Sequence, residues 1–399
     1  MPTRRTTTIL ITAGLLYLFA NQTQVGWMYV MAALLVGIVA ASLLLNRFTL
    51  GGLTAGRDIS AGDALHEGDE ARVNLRLHNR RALPAAQVSV TEQCPLTAPD
   101  DERRERTLFV PAVRDTAEFA YAVTLYRRGL HAFPAAPVSS RAPFGFFRAN
   151  RTLEGAAQRV LVYPQVEPLR RLRLFDRQPT PELVEARTGR GMEVIGVRDY
   201  RPGVSPRHIH WRSVARRGTL ITKEFAEEKQ PGLTLALDLF AHPYPAESSK
   251  HTPFEWGVKA AASIAEYAVR LGYPLSIAAD ETALPAPRGP LTWEAVLQYL
   301  ARVEPQGRTP LGDVLAAHPV GRFAAVILPW PDPAAGQTLL GLRARGIAVL
   351  AVLLDPATFP AGGPSAGALA ASLRANHMDV TLLSFGVDWA AALAEEIPA

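Results

Sequence analysis

The sequence predicts a chain in three parts: an N-terminal transmembrane helical hairpin, a β-sandwich-like middle domain and a C-terminal doubly wound α/β domain. Three observations predict it. No Asp, Glu, Lys or Arg lies between Arg5 and Arg47. Short stretches of alternating polarity fill the middle of the chain. From Pro231 onward, continuous apolar runs alternate with helical periodicity. The boundaries that follow are 1–56 for a two-helix membrane anchor, 57–165 for the β-rich domain, 166–230 for a basic connector and 231–399 for the α/β domain.

The uncharged stretch holds two apolar runs, Ile9 to Ala20 and Val25 to Leu45. A bilayer-spanning helix needs about 20 residues, which the second run meets and the first approaches with Thr6 to Thr8 added. Asn21 to Gln24 form a polar, uncharged turn, and Trp27 and Tyr29 fall where interfacial aromatics belong. Arg4 and Arg5 precede the first run; Arg47 and Arg57 follow the second. Both basic flanks then lie on one side, which the positive-inside rule makes cytoplasmic. The expectation is a two-pass protein of the inner membrane with the bulk of the chain in the cytoplasm and the bilayer as a partner. A cleaved signal peptide ending at Ala20 is disfavoured by Leu18 at the −3 position.

Among the middle stretches, "ARVNLRLHN" puts Val73, Leu75 and Leu77 on one face and Arg72, Asn74, Arg76 and His78 on the other. That is the period of a half-buried strand. "AAQVSVTEQ", "RTLFVPAV" and "AEFAYAVTLYRRG" repeat it between Pro, Gly, Asn and Asp residues, as in a small sandwich. "RAPFGFFRAN" closes the region, and its three phenylalanines read as a packed corner between domains.

The chain has 399 residues, 48% of them hydrophobic, and a net charge of +5. So mild an excess favours anionic surfaces without pointing to nucleic acid, and no nucleic-acid partner is expected. The single cysteine, Cys94, excludes an intramolecular disulfide and a multi-cysteine metal site.

The basic residues concentrate in 187–223: Arg187, Arg190, Arg198, Arg201, Arg207, Arg212, Arg216, Arg217 and Lys223 stand against Glu193 and Asp199. Pro202, Gly203 and Pro206 interrupt regular structure before "RHIHWRSVARR", a short helix, and "TLITKEFAEEK", a strand. Three readings compete. Arginines pair with carboxylates across a domain junction whose seam Trp211 fills; the stretch binds an anion, lipid head group or acidic partner; or His208 or His210 acts as a base. For the last, no nucleophile with a recognisable motif is present.

"GMEVIGVRDYRPGVSPRHIHWRSVARRGTLITKEF" resembles the signature of the domain-of-unknown-function 58 family of bacterial proteins. The matching positions are Gly191, Glu193, Arg198, Tyr200, Gly203, Arg207, Ile209, Trp211, Ala215 and Arg216, with Arg212 beside them. "APFGFF" resembles a Pro-Phe-Gly motif that the family carries upstream, and two spans before a β domain also fit, so the likeness runs through nearly the whole chain. Two departures are Val204 and His210, where the family often has Asp.

In the C-terminal part, "LTLALDL", "PLSIAAD", "RFAAVILPW", "IAVLAVLLD" and "DVTLLSF" read as strands of a parallel sheet. "FEWGVKAAASIAEYAVRLG", "LTWEAVLQYLARV", "TPLGDVLAAH" and stretches around 333–345, 365–376 and 388–396 read as helices, with Thr309 an N-cap. The family resemblance implies a von Willebrand factor A-like domain here. Such a domain holds a divalent ion through Asp-x-Ser-x-Ser, a Thr and a later Asp. In this chain Phe240 and His242 replace both serines, Thr309 fits the threonine position, and the later Asp is displaced to Asp332. Asp238 and Thr309 are thus degenerate metal-site positions, too few oxygens for a hard cation. Asp238 is expected to cap a helix or pair with an arginine. No metal, cofactor or catalytic residue is assigned, and the chain is not read as an enzyme.

The function that follows is a membrane-anchored interaction or adaptor protein. The resemblance implies a partner, a MoxR-type AAA+ ATPase acting in assembly or maturation of a client complex. The alternative is a hydrolase or nuclease that uses His208 or His210 and neighbouring arginines.

Overall fold

A computed structural model of the chain describes residues 2–60, 64–176, 194–199, 210–225, 232–242, 249–282, 284–288 and 291–394. It divides into two compact units. The first holds Met1–Val166, Ala246–Lys250 and Leu297–Val303; the second holds the rest.

The first unit opens with helices α1 (Arg4–Thr23) and α2 (Gly26–Thr49), joined through Gln24, which adopts a left-handed φ of 55°. Their buried positions are Thr6, Ala13 and Ala20 on α1 and Ala32, Val39, Ser42 and Asn46 on α2, all but Ser42 recurring every seven residues. A sevenfold repeat of small side chains lets two helix backbones approach closely. The remaining faces of α2 expose Val30, Leu34, Leu44 and Leu45. Among the described residues α2 is the one helix long and apolar enough to cross a membrane; the arginines and threonines of α1 dilute its apolar character.

β1 begins at Leu53, within the stretch assigned to the anchor by sequence. Three strands, β1 (Leu53–Ser60), β2 (Glu70–Asn79) and β5 (Thr116–Thr124), form one antiparallel sheet in the order β1-β2-β5. A second contains β3 (Ala85–Gln93), β4 (Glu105–Val113), β7 (Ala136–Ser140) and β8 (Ala149–Leu153) in the order β4-β3-β7-β8. The alternation in β2 is as read: Val73, Leu75 and Leu77 are fully buried. Leu75 and Leu77 meet Val88, Val90, Val113 and Val138 of the other sheet in one core. A pair that the pattern did not announce, β6 (Gly129–Phe133) with β9 (Gln158–Val162), closes the region. Inside it lies a fully buried ion pair. Arg57 donates through Nη2 and Nε to the two oxygens of Glu92 at 2.8 and 3.0 Å, Tyr121 donates to Glu92 Oε1 at 2.9 Å, and the guanidinium covers the Phe133 ring.

In the second unit, after the short helix α3 (Arg173–Asp176), β10 (Val194–Asp199) pairs antiparallel with β11 (Ile221–Phe225), with α4 (Trp211–Arg217) between them. Five parallel strands follow, β12 (Leu233–Leu237), β13 (Leu275–Ala278), β14 (Phe323–Leu328), β15 (Ala348–Leu354) and β16 (Asp379–Leu383), in the order β13-β12-β14-β15-β16. The helices between or after them in sequence are α5 (Pro253–Arg270), α6 (Trp293–Arg302), of which Leu297 onward belongs to the first unit, α7 (Leu311–Ala317), α8 (Pro333–Ala344), α9 (Gly367–Ala375) and α10 (Trp389–Ala394). The chain therefore runs outward from β12 in one direction, returns, and continues in the other. The reversal lies between β12 and β14, where crevices at the carboxyl ends of such sheets form.

Candidate functional site

An aspartate follows the carboxyl end of each of the four leading strands: Asp238 after β12, Asp280 after β13, Asp332 after β14 and Asp355 after β15. The strands are mostly buried and apolar, so a carboxylate meets loop amides only past their ends.

Asp238 is buried, 2% exposed. Its Oδ1 accepts from the Phe240 N–H at 3.1 Å and its Oδ2 pairs with His242 Nε2 at 3.1 Å. The His242 ring stacks on Trp330, with centroids 5.5 Å apart and planes within 11°. This replaces the expected helix cap or arginine partner. Four residues on, the chain turns back across the strand end, which brings the imidazole to the carboxylate before any arginine. The side chain at the second serine position thus occupies the aspartate itself.

Asp280 holds the neighbouring loop. Its Oδ1 accepts from the Thr282 N–H at 2.9 Å and the Thr309 hydroxyl at 3.2 Å. Its Oδ2 accepts from the Thr282 hydroxyl at 2.8 Å and from the N–H groups of Arg308 and Thr309 at 2.5 and 2.7 Å. Burial acts to raise its pKa, but the Thr309 and Thr282 N–H groups, the Thr282 hydroxyl and the Arg308 N–H outweigh it. The carboxyl is held far below the usual carboxylate range. Gly307 then meets the loop after β12: its N–H donates to Leu239 O at 2.7 Å, and its carbonyl accepts from the Ala241 N–H at 3.1 Å. A Cβ on Gly307 would stand 2.7 Å from Leu239 O and 2.9 Å from Asp280 Oδ2, so only glycine fits this approach.

Thr309 is therefore a ligand of Asp280, one residue ahead of Pro310, which occupies the N-cap of α7. The N-cap expected at Thr309 moves by one because its hydroxyl is engaged by the carboxylate. Asp332 caps α8, accepting from the Ala334 N–H at 2.9 Å, and Asp355 accepts from the Ala366 N–H at 3.0 Å. Among the described residues no group of three His, Cys, Asp or Glu side chains converges as a metal site would need.

The basic stretch is described in part. Glu193, Tyr200, Gly203, Arg207 and His208 lie outside the described residues, as does the side chain of Arg212. Arg198 lies on β10 opposite Thr222 of β11. His210 N-caps α4 and its N–H donates to Ile221 O at 2.8 Å. Trp211 is 64% exposed and Arg216 is exposed. Trp211 stands on the outward side of the first turn of α4.

The basic ribbon, the two strand-end loops and α7 fall within one stretch of chain, and comparison with known families decides what that stretch is. Residues 196–322 match the family described as protein of unknown function DUF58. The DUF58 region so matched runs from β10 to just before β14 and includes Asp238, Asp280 and Thr309. It is narrower than the likeness read through nearly the whole chain. No curated protein matches the chain. Solved structures superpose on it only poorly, whatever share of the chain they cover. A Pseudomonas fluorescens alkylpurine DNA glycosylase AlkC bound to DNA is 8% identical over 33% of this chain and 38% of its own, with a TM-score of 0.17. Sporulation control protein Spo0M of Bacillus subtilis is 12% identical over 28% and 49%, at 0.16. A Vibrio harveyi GH20 exo-β-N-acetylglucosaminidase is 11% identical over 76% and 57%, at 0.20. The chain thus spans less than two thirds of each, and likenesses at TM-scores this low carry neither fold nor function across.

Asp280 and Asp355 were not singled out by sequence reasoning. The signal available was an Asp closing the apolar runs "SIAAD" and "AVLLD", in parallel with "LALD".

Proposed function

We propose that the chain is a membrane-anchored interaction protein, an adaptor that works with a MoxR-type AAA+ ATPase in assembly or maturation of a client complex. In this reading α1 and α2 form a two-pass hairpin and both units face the cytoplasm. The parallel sheet is a von Willebrand factor A-like domain whose ion site is degenerate at Asp238 and Thr309. One observation supports the reading above others: the strand-end carboxylates are engaged within the chain, by loop amides, hydroxyls and His242. Such a face holds its loops in fixed positions, which suits a docking surface better than a site that must exchange ligands. The exposed Trp211 and Arg216 of the DUF58 region supply an aromatic and a cation of the kind that anchor protein partners.

The test is affinity purification of the full-length protein from native membranes in mild detergent, with bound proteins identified by mass spectrometry. An AAA+ ATPase in the eluate, reduced by Arg212→Ala and Trp211→Ala, is the expected result. Recovery of the chain without an ATPase refutes the partnership.

A further inference from the structure

We infer that the first unit rests on the membrane through two loops at the base of α1 and α2, and that these loops receive an anionic phospholipid surface. The inference rests on α2 being a membrane span. At 1.5 Å per residue, about 30 Å of hydrocarbon takes roughly 20 residues. Counted from Trp27, that length ends at Asn46.

Asn46 is where α2 grips the loop Arg141–Arg148. Its amide donates to Ala142 O at 2.9 Å and Ser140 O at 3.4 Å. The start of α1 grips the same loop from the other side. The Thr3 N–H donates to Phe146 O at 2.8 Å, the Thr3 hydroxyl to Gly145 O at 2.9 Å, and the Thr6 hydroxyl to Phe146 O. The loop is thereby fixed at the depth where both helices leave the hydrocarbon. Phe144 stands 53% exposed there, its ring 5.7 Å from that of Phe146. The corner that the three phenylalanines mark thus lies between the helix base and the β region.

The second loop, 80–84, is held to the end of α2 by Arg81, whose Nη1 donates to Phe48 O at 2.9 Å. Leu83 at its tip is 73% exposed and Phe48 beside it 54%. Two loops with exposed apolar tips, both tied to the base of one apolar helix, form a surface continuous with the span. Their polar content is basic and suits phosphate: Arg5, Arg47, Arg80, Arg81, Arg141 and Arg148 are all exposed. Beside the first loop, a cavity of about 420 Å³ is lined by Arg141, Arg148 and the hydroxyl-bearing Ser89, Thr107 and Ser139. Its chemistry fits a phosphate-bearing head group, and its place beside the span assigns it to a lipid.

The test uses the full chain reconstituted in phosphatidylcholine vesicles with or without phosphatidylglycerol. Cys94 is replaced by Ala, and an environment-sensitive fluorophore is placed on Phe144→Cys, Leu83→Cys, Val36→Cys or the exposed β6 position Leu130→Cys. Lipids brominated near the glycerol end of their chains serve as quencher for positions 144, 83 and 130, and lipids brominated near the chain terminus for position 36, which lies midway along the span. Quenching at 144 and 83 but not at 130, stronger with phosphatidylglycerol and losing that increment in Arg80→Gln/Arg141→Gln, is expected. Quenching at 36 without quenching at 144 and 83 overturns the loop contact and leaves the span standing. No quenching at 36 overturns both. Equal quenching in the two lipids, or an increment reproduced in phosphatidylcholine by inorganic phosphate, overturns the assignment to anionic lipid.

Discussion

Replacing Asp280 with Asn asks whether the strand-end loop is held by charge or by shape alone. The carboxylate accepts two hydrogen bonds at Oδ1 and three at Oδ2. An amide keeps one acceptor and turns an NH2 group toward the other set. Placed at Oδ2, the NH2 faces the N–H groups of Arg308 and Thr309; placed at Oδ1, it faces that of Thr282. The threonine hydroxyls can rotate to accept, but the N–H groups cannot. The better orientation therefore turns the NH2 toward the Thr282 N–H, and because Thr282 is exposed, water can take up part of that lost bond, so the cost falls at about 1 kcal/mol. It also exchanges charge-assisted bonds for neutral ones of roughly half the strength. The expected loss is about 1–3 kcal/mol, still a sizeable share of a typical domain's stability. Urea unfolding of the full chain in detergent, followed by tryptophan fluorescence, reads the total. Hydrogen exchange at the Arg308 and Thr309 amides reads the loop, where protection should fall first. The pH dependence follows from a folded pKa below the unfolded value near 3.9. The carboxylate's contribution is fully present above the unfolded pKa and is lost as pH falls toward the folded one. The gap between wild type and Asp280→Asn should be flat from about pH 5 to 8 and close below about pH 4. A variant within about 0.5 kcal/mol of wild type, or a gap that changes near neutrality, would refute the reasoning.

Three further outcomes are expected. Gly307→Ala forces the strand-end loops apart and should cost about 1–3 kcal/mol by the same unfolding assay, with exchange at Ala241 accelerated. Arg57→Ala leaves Glu92 charged and unpaired in the β core, so a loss of about 3–5 kcal/mol is expected in thermal or urea melts of the full chain. The Cys94 thiol is buried, and that burial raises its pKa; a thiol reagent at neutral pH should label it only after denaturation, as mass spectrometry would show.

Much of the fold was legible because the two β regions speak different dialects of one pattern. Val73, Leu75 and Leu77 alternate with polar residues since one face of β2 meets water, whereas "LTLAL" and "FAAVIL" are unbroken since helices cover both faces of the parallel sheet. Strand order was not legible, because a crossover helix leaves no mark of which side of β12 the chain returns to. The strand-end site was half legible. Asp238 announced itself through a motif, but its partner was settled by the backbone turn that returns His242 to it. Asp280 makes its decisive bonds to Arg308 and Thr309, far along the chain, and three of its five donors are backbone N–H groups that no sequence pattern records.

The close seam between anchor and β region has a mechanical consequence. β1 starts four residues after α2 ends, and Asn46, Thr3, Thr6 and Arg81 bolt the two together at separate points. A flexible tether would let the β region swivel and sample a hemisphere above its anchor, at an effective concentration set by linker length. A flange of this kind removes that freedom. Torque applied to the β region passes into α1 and α2 rather than being absorbed by a linker, and whatever the β region presents keeps a constant height and heading relative to them.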